Sequence, residues 1–333
     1  MLTLSDADRC FLNVSLGMTD EDKRLTLGFI VLLFSMISFL LNIIVIAALF
    51  RSCSLFKGQP FTHFVISMIT SGTIYSAINF FVSVPCTLTY CSYLDDDSLM
   101  VLFATPNTFS FLAYLLANFG FSIYRLTIVF GNFFRNTTNI IYLTTLHLPW
   151  IVSLFATLDT TYRGCLKRFN RWSIGYTYNC SNCKVWFGVS FIDVNFYAGQ
   201  ILPILMCLMY FTMILNVYFK RMSSGYMTQS VKTDLKLAFQ YLIVCLAQYL
   251  SSFLFYIVPK YGNGSFLAVV ALNIIGVIDV GINPLILLLF NGKMREATLN
   301  LFSFLPGIET KRSKMVVTTV APTTFKKSVP QKN

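Results

Sequence analysis

Asp279 and the Asn283-Pro284 pair lie one helical turn apart within an otherwise apolar stretch, a spacing that suits polar contact and hinge motion inside a lipid-embedded helix. A carboxylate deep in hydrocarbon costs about 2.5–3.5 kcal/mol on insertion scales, so it belongs on a face turned into protein. Residues four apart on a helix share a face, which makes Asp279 and Asn283 members of one polar hub. Asn42, midway along an earlier apolar stretch, is the expected third member. Pro284 removes a backbone donor and opens its helix locally, and the Asn283 amide can satisfy the freed groups. The plainer readings are a protonated packing carboxyl and a kink that never switches. A second set, Asn107, Tyr114, Asn118 and Arg125, is separated by 7, 4 and 7 residues, near multiples of 3.6, and forms a polar stripe along one helix face. Arg125 ends that stripe, where it can act as a switch or simply snorkel to lipid phosphates.

None of these groups makes a catalytic or metal constellation. The chain has 2 His, His63 and His147, too few for a zinc hydrolase. Cys180-Ser181-Asn182-Cys183 has the spacing of a half zinc site, but no second Cys/His pair stands nearby, so a disulfide role is favoured. The reading is a protein that is not an enzyme, holds no metal or cofactor and binds no nucleic acid.

The elements that position these residues are seven apolar stretches: Leu25 to Phe50, Pro60 to Pro85, Ser98 to Tyr124, Asn139 to Leu158, Phe196 to Phe219, Leu237 to Val258 and Ser265 to Phe290. Each has the ~20 residues that cross ~30 Å of hydrocarbon, where a lone backbone must be helical to satisfy itself. The chain is 56% hydrophobic and 12% charged, with a mean hydropathy of +0.67, which excludes a soluble globular class. The expectation is an all-α membrane protein, a seven-transmembrane helix bundle with its amino terminus outside and a short amphipathic eighth helix. Its units are an outer amino terminus over 1–24, the bundle with the amphipathic helix over 25–302, and a basic inner tail over 303–333. The first 24 residues are too charged for a cleavable signal, so the first helix serves as the targeting segment.

Loop charge sets the orientation. With the amino terminus outside, the inner segments carry 16 Lys/Arg against 3 acids and the outer ones 9 against 10, and positive residues stay on the cytoplasmic side. The loop from Asp159 to Asn195 dissents, since Arg163, Lys167, Arg168, Arg171 and Lys184 lie on the outer side. Sequons at Asn13, Asn179 and Asn263 fall outside, while one at Asn136 falls inside. Cys10, Cys86, Cys91, Cys165, Cys180 and Cys183 also sit in or beside outer segments, where oxidation is permitted. A bridge from the region before the third span to the long loop is expected, with Cys91 to Cys180 or Cys183 preferred, although spacing alone does not fix connectivity. After the seventh span, Met294, Ala297, Leu301 and Phe304 recur at helical spacing, as an inner-leaflet helix requires.

An Asn-Pro near the end of a seventh span, followed by a short basic amphipathic segment, resembles the rhodopsin-like G-protein-coupled receptors. Asn42, Arg125, Trp150 and Pro203 stand where that resemblance wants them. Within the superfamily the chain resembles the nematode chemoreceptors, the serpentine receptors, with class X the candidate class. There are departures: Arg125 is preceded by Tyr124, the second span has no carboxylate, the sixth lacks Cys-Trp-x-Pro, and Leu287 replaces the tyrosine after Asn-Pro. The resemblance implies a plasma-membrane receptor of sensory neurons. It would bind a small molecule of odorant, tastant or pheromone type from outside and activate a heterotrimeric G protein.

The expected ligand-binding residues are Asn107, Phe111, Tyr114, Trp186, Tyr197, Phe253 and Tyr256, and the expected switch residues are Arg125, Asp279, Asn283, Pro284 and Asn42. Lys220 to Lys236, with Arg51 and Arg135, would offer the G protein a basic surface. A mouth without deep charge favours neutral or amphiphilic ligands, though the basic outer loop could attract an anion. The seventh span has no Lys for a retinal Schiff base. A ligand-gated ion channel or a peptide receptor of the same topology are the alternatives.

Overall fold

The computed structural model describes residues 9–11, 20–130, 137–184, 188–224, 229–261 and 265–302. Among the described residues eight helices of more than ten residues carry the chain: α1 (Glu21–Arg51), α2 (Pro60–Thr89), α3 (Asp97–Val129), α4 (Thr138–Tyr162), α5 (Phe191–Ser224), α6 (Gln229–Tyr261), α7 (Phe266–Phe290) and the short α8 (Gly292–Phe302). The first seven are long and apolar enough to cross a membrane. Several run past the apolar stretches that marked them, α1 starting at Glu21 and α3 reaching Val129. Hydrogen bonding does not stop where hydrophobicity does, and charged residues continue the helix beyond the hydrocarbon.

Burial is arranged for lipid. Phe29, Leu102, Ile151, Phe155, Leu208 and Leu289 are exposed on the outside, while Asn42, Asn79, Asn107, Asn118, Asp279 and Asn283 are buried inside. Lipid tails are as apolar as leucine, so bringing helices together gains nothing from apolar burial and depends on close packing and interior hydrogen bonds. α3 threads the centre and packs on α2, α4 and α5, while α1 meets α7 and α6 joins α5 to α7. At one crossing a Cβ on Gly120 would collide with the carbonyl of Thr145. That carbonyl lies four residues before Pro149, which has no N–H to offer it. Glycine on α3 and proline on α4 thus let the two backbones approach.

α2 changes pitch before it ends. Residues Asn79–Ser83 form a π-helical stretch, with the Val84 N–H reaching Asn79 O. Pro85 explains the widening, because its ring would clash with the carbonyl four residues earlier. That carbonyl, Phe81 O, accepts instead from the Tyr93 hydroxyl.

Between α4 and α5 the chain forms a hairpin of β1 (Arg168–Asn170) and β2 (Gly175–Thr177), paired antiparallel with Phe169 opposite Tyr176. Its turn is tied by Asn170 Oδ1, which accepts from the N–H of Trp172 at 2.9 Å and of Ser173 at 3.1 Å. Phe169 and Ile174 are buried against Leu27, Val31 and Val82, so the hairpin plugs that end of the bundle. Arg168 grips Asp97 with two bonds of 2.6 and 2.7 Å. Arg171 reaches Asp95 at 2.5 Å, and the buried Arg24 donates to the Arg171 carbonyl at 2.7 Å. Arg163 pairs with Asp159. Three of the five cations that weighed against the orientation are therefore neutralised by nearby acids.

Three disulfides lie at this end, joining Cys10 to Cys180, Cys86 to Cys91 and Cys165 to Cys183. The expected partnership of Cys91 with Cys180 or Cys183 is not formed. Cys91 is consumed by Cys86 across the turn after α2, and the long loop closes on itself and on the amino-terminal segment. Ion pairs through Asp95 and Asp97 hold the hairpin on α3 where a bridge was anticipated. At the opposite end, Asn291 Oδ1 accepts from Met294 N at 3.2 Å and starts α8, whose Met294 and Ala297 are buried and which packs on α1 and α7.

Candidate functional site

The polar stripe on α3 faces inward: Asn107, Tyr114 and Asn118 are all buried, and Arg125 is partly so. Proline and asparagine on α7 meet it halfway down. Asn283 Nδ2 donates to the Tyr114 hydroxyl at 3.1 Å and to Asn118 Oδ1 at 3.3 Å, while Asn118 Nδ2 donates to Tyr114 O at 2.9 Å. The Tyr114 hydroxyl donates to the backbone carbonyl of Asp279 at 3.0 Å. The knot joins α3 to α7 one turn below Asp279, beside Pro284.

This hub differs from the expected one. Asp279 contributes its backbone, and its Oδ1 is buried with no hydrogen-bond partner. Asn283 spends its amide on α3 and not on carbonyls freed by Pro284. Asn42 stays on its own helix, donating to Ser38 O at 2.8 Å, because the neighbouring contact is filled by Gly72 of α2 against Val280 of α7. Trp150, unassigned beyond the resemblance, links α4 to α2 through Ser67 Oγ at 2.7 Å.

Below the hub, Arg125 lies within electrostatic range of the Tyr210 phenol on α5 and the Tyr241 phenol on α6. Those rings stack at 5.9 Å, and Tyr241 also meets Phe121 edge-on at 4.7 Å. The end of α3 is thus enclosed by aromatic groups from α5 and α6.

Above the hub, the expected ligand residues divide. Asn107 and Tyr114 are buried, Phe111 is partly buried where two core clusters meet, and Tyr256 is half-buried edge-on to Phe196 at 4.7 Å. Tyr197 and Phe253 turn to the outside of the bundle, Tyr197 being 59% exposed, since each sits on the lipid-facing side of its helix. Trp186, Asn13 and Asn263 lie outside the described residues, as do Arg135, Asn136 and the tail, and no side chain is described for Lys220 or for 221–234. Asn179 is exposed beside the bridged Cys180.

What the sequence reading missed is Lys167. The loop carries it under the hairpin, where its Nζ donates to Asn107 Oδ1 at 2.7 Å and lies 5.4 Å from the Tyr176 ring and 5.3 Å from the Tyr178 ring. The Tyr178 hydroxyl bonds Thr108 Oγ1 at 2.5 Å. Burial draws the amine down to about 7, because a charge without water or counter-ion is disfavoured. A mouth without deep charge is therefore not what forms. The only sequence signal was the surplus of cations in this loop, which did not say which of them turns inward. Among the described residues no group of three or more His, Cys, Asp or Glu could hold a metal ion.

No curated protein matches the sequence. Among solved structures, squid rhodopsin superposes with a TM-score of 0.65 at 15% identity, covering 86% of this chain and 87% of that chain. At that identity the likeness speaks for the fold: a rhodopsin-like seven-helix bundle of a multi-pass membrane protein. A family model described as protein of unknown function (DUF621) matches residues 17–287, and to that family the chain belongs.

Proposed function

We propose that this chain is a G-protein-coupled chemosensory receptor that takes a small molecule at the hairpin end and activates a heterotrimeric G protein at the Arg125 end. The observation that carries the reading is the knot of Asn283, Tyr114 and Asn118, which ties α7 to α3 beside Pro284. It lies midway between a polar, roofed mouth and an arginine held among aromatics of α5 and α6, so a ligand that repacks the upper half acts on a helix that lacks one backbone donor at Pro284. A ligand shifts such an equilibrium only by its differential affinity for the two states.

The orientation follows with the amino terminus, the hairpin and the three disulfides outside. The neutralisation of Arg163, Arg168 and Arg171 supports it, because it removes the main dissent from the charge bias. Asn179 is then an accessible glycosylation site, and α8 lies along the inner leaflet. The resemblance to nematode serpentine receptors supports a sensory-neuron plasma membrane and an odorant, tastant or pheromone ligand. The deciding experiment is G-protein activation in a heterologous cell by a panel of small volatile and secreted metabolites, with Arg125→Ala at equal surface level. A parent response lost in the variant is expected; ligand-evoked current that persists without G proteins would favour a channel.

A further inference from the structure

We propose that Lys167 and Asn107 form the recognition end for a ligand carrying a carboxylate on an apolar body, held between the hairpin and α3. The inference rests on the receptor reading above and names the ligand class of its upper site.

Two unmet needs coincide there, and both are for an acceptor. Asn107 is 2% exposed, its Oδ1 is taken by Lys167, and its Nδ2 is buried with no hydrogen-bond partner. Tyr75 of α2 is close enough to interact with that amide but stands outside hydrogen-bonding geometry. The Lys167 amine is enclosed by protein while the residue as a whole keeps partial exposure. Its neighbours are one amide oxygen and the faces of Tyr176 and Tyr178. Burial raises both phenols, so they face the amine as neutral groups. No carboxylate acts on the amine among the described residues. Asp279 acts on Tyr75 and Asp193 on Tyr256, each one shell away.

A buried cation without an anion is costly, and an added anion that also accepts from a neighbouring amide relieves both groups at once. A water would satisfy the Asn107 amide but leave the charge unpaired. Burial already brings the amine near neutrality, so the protonated form needs little help from a bound carboxylate. The apolar body is asked for by what lies one turn below, where Phe111 stands partly buried on α3. Among the described residues, the other buried cations of the hairpin region, Arg24, Arg168 and Arg171, each have carbonyl or carboxylate partners, and Lys184 is exposed, so Lys167 is the enclosed cation left to receive an anion there.

The test uses the full chain in lipid nanodiscs, read by thermal denaturation with octanoate, methyl octanoate and octanamide as probes. Octanoate should raise the melting temperature while the ester and amide do not. Lys167→Met should weaken octanoate roughly ten-fold or more, and Lys167→Arg, which keeps the charge, should retain most of the shift. The arginine variant guards against misfolding of the methionine one. Equal shifts by acid and ester, no shift with straight-chain acids of any length, or an octanoate shift unchanged in Lys167→Met would each overturn the proposal. Acid binding that depends on Lys167 but evokes no G-protein turnover would uphold the carboxylate site and sink the receptor reading.

Discussion

Asn283 ties two interior side chains of α3 to α7 at once, because its one amide nitrogen serves both Tyr114 and Asn118. Removing it strands Asn118 Oδ1 and leaves the Tyr114 hydroxyl only its bond to the Asp279 carbonyl, and a stranded buried polar group costs about 1–3 kcal/mol. Asn283→Ala should therefore lower the thermal stability of the purified chain clearly, whereas Asn42→Ala, whose amide only bonds its own helix, should cost less. Asp279 makes the complementary case: its Oδ1 has no partner, so Asp279→Asn keeps shape and should reach the surface at parental levels. Signalling is expected to be lost, and an unchanged dose response would reduce Asp279 to packing. Lys167 adds a titration. Its amine is held at about 7 against an ordinary 10.5, so between those values the unfolded chain binds more protons than the folded one. Stability must then rise with pH across that window, with the penalty fully present below it. Melting temperature followed from neutral to alkaline pH should climb more steeply in the parent than in Lys167→Met; identical slopes would remove the buried amine as the cause.

Between elements, the crossing of α3 and α4 is set by absence of a side chain. A Cβ at Gly120 would strike the Thr145 carbonyl, which is backbone and cannot step aside as a side chain would. Gly120→Ala should cost about 1–3 kcal/mol by overpacking, read as a fall in melting temperature and surface expression. Much at this scale was legible. Helix existence follows from length and hydropathy, the inward face of α3 from the spacing of Asn107, Tyr114 and Asn118, and α8 from the spacing of Met294, Ala297 and Leu301. Register between helices was not, because a stripe says which way a residue points and not what meets it. Asn42 therefore looked like a hub member although Gly72 brings α2 in between, and Tyr197 and Phe253 looked like ligand contacts although their side of the helix faces out. Disulfide pairing was hidden for the same reason. Six cysteines near one end fit many connectivities until the turn after α2 places Cys86 against Cys91.

For the whole molecule, the covalent restraint, and the ion pairs that the described residues make with the hairpin, gather at one end. The three bridges and the Arg168–Asp97 and Arg171–Asp95 pairs all fasten the hairpin and the turn after α2, while the Arg125 end is held by aromatic packing among Phe64, Phe121, Tyr124 and Tyr142. Such a division lets the roof stay shaped for a ligand while the far end repacks, since local openings have their own free energies. Reduction separates the two. Opening Cys165–Cys183, 18 residues apart, frees a loop whose closure is worth about 3 kcal/mol in the chain-entropy model, yet the helices keep their backbone bonds because lipid offers no alternative. Hydrogen exchange on the reduced protein in nanodiscs should therefore speed up across the hairpin and the first turns of α3, with the segment from Asn118 to Arg125 as protected as before. A uniform rise in exchange along α3 would mean that the bridges support the entire bundle and that its two ends are one cooperative unit.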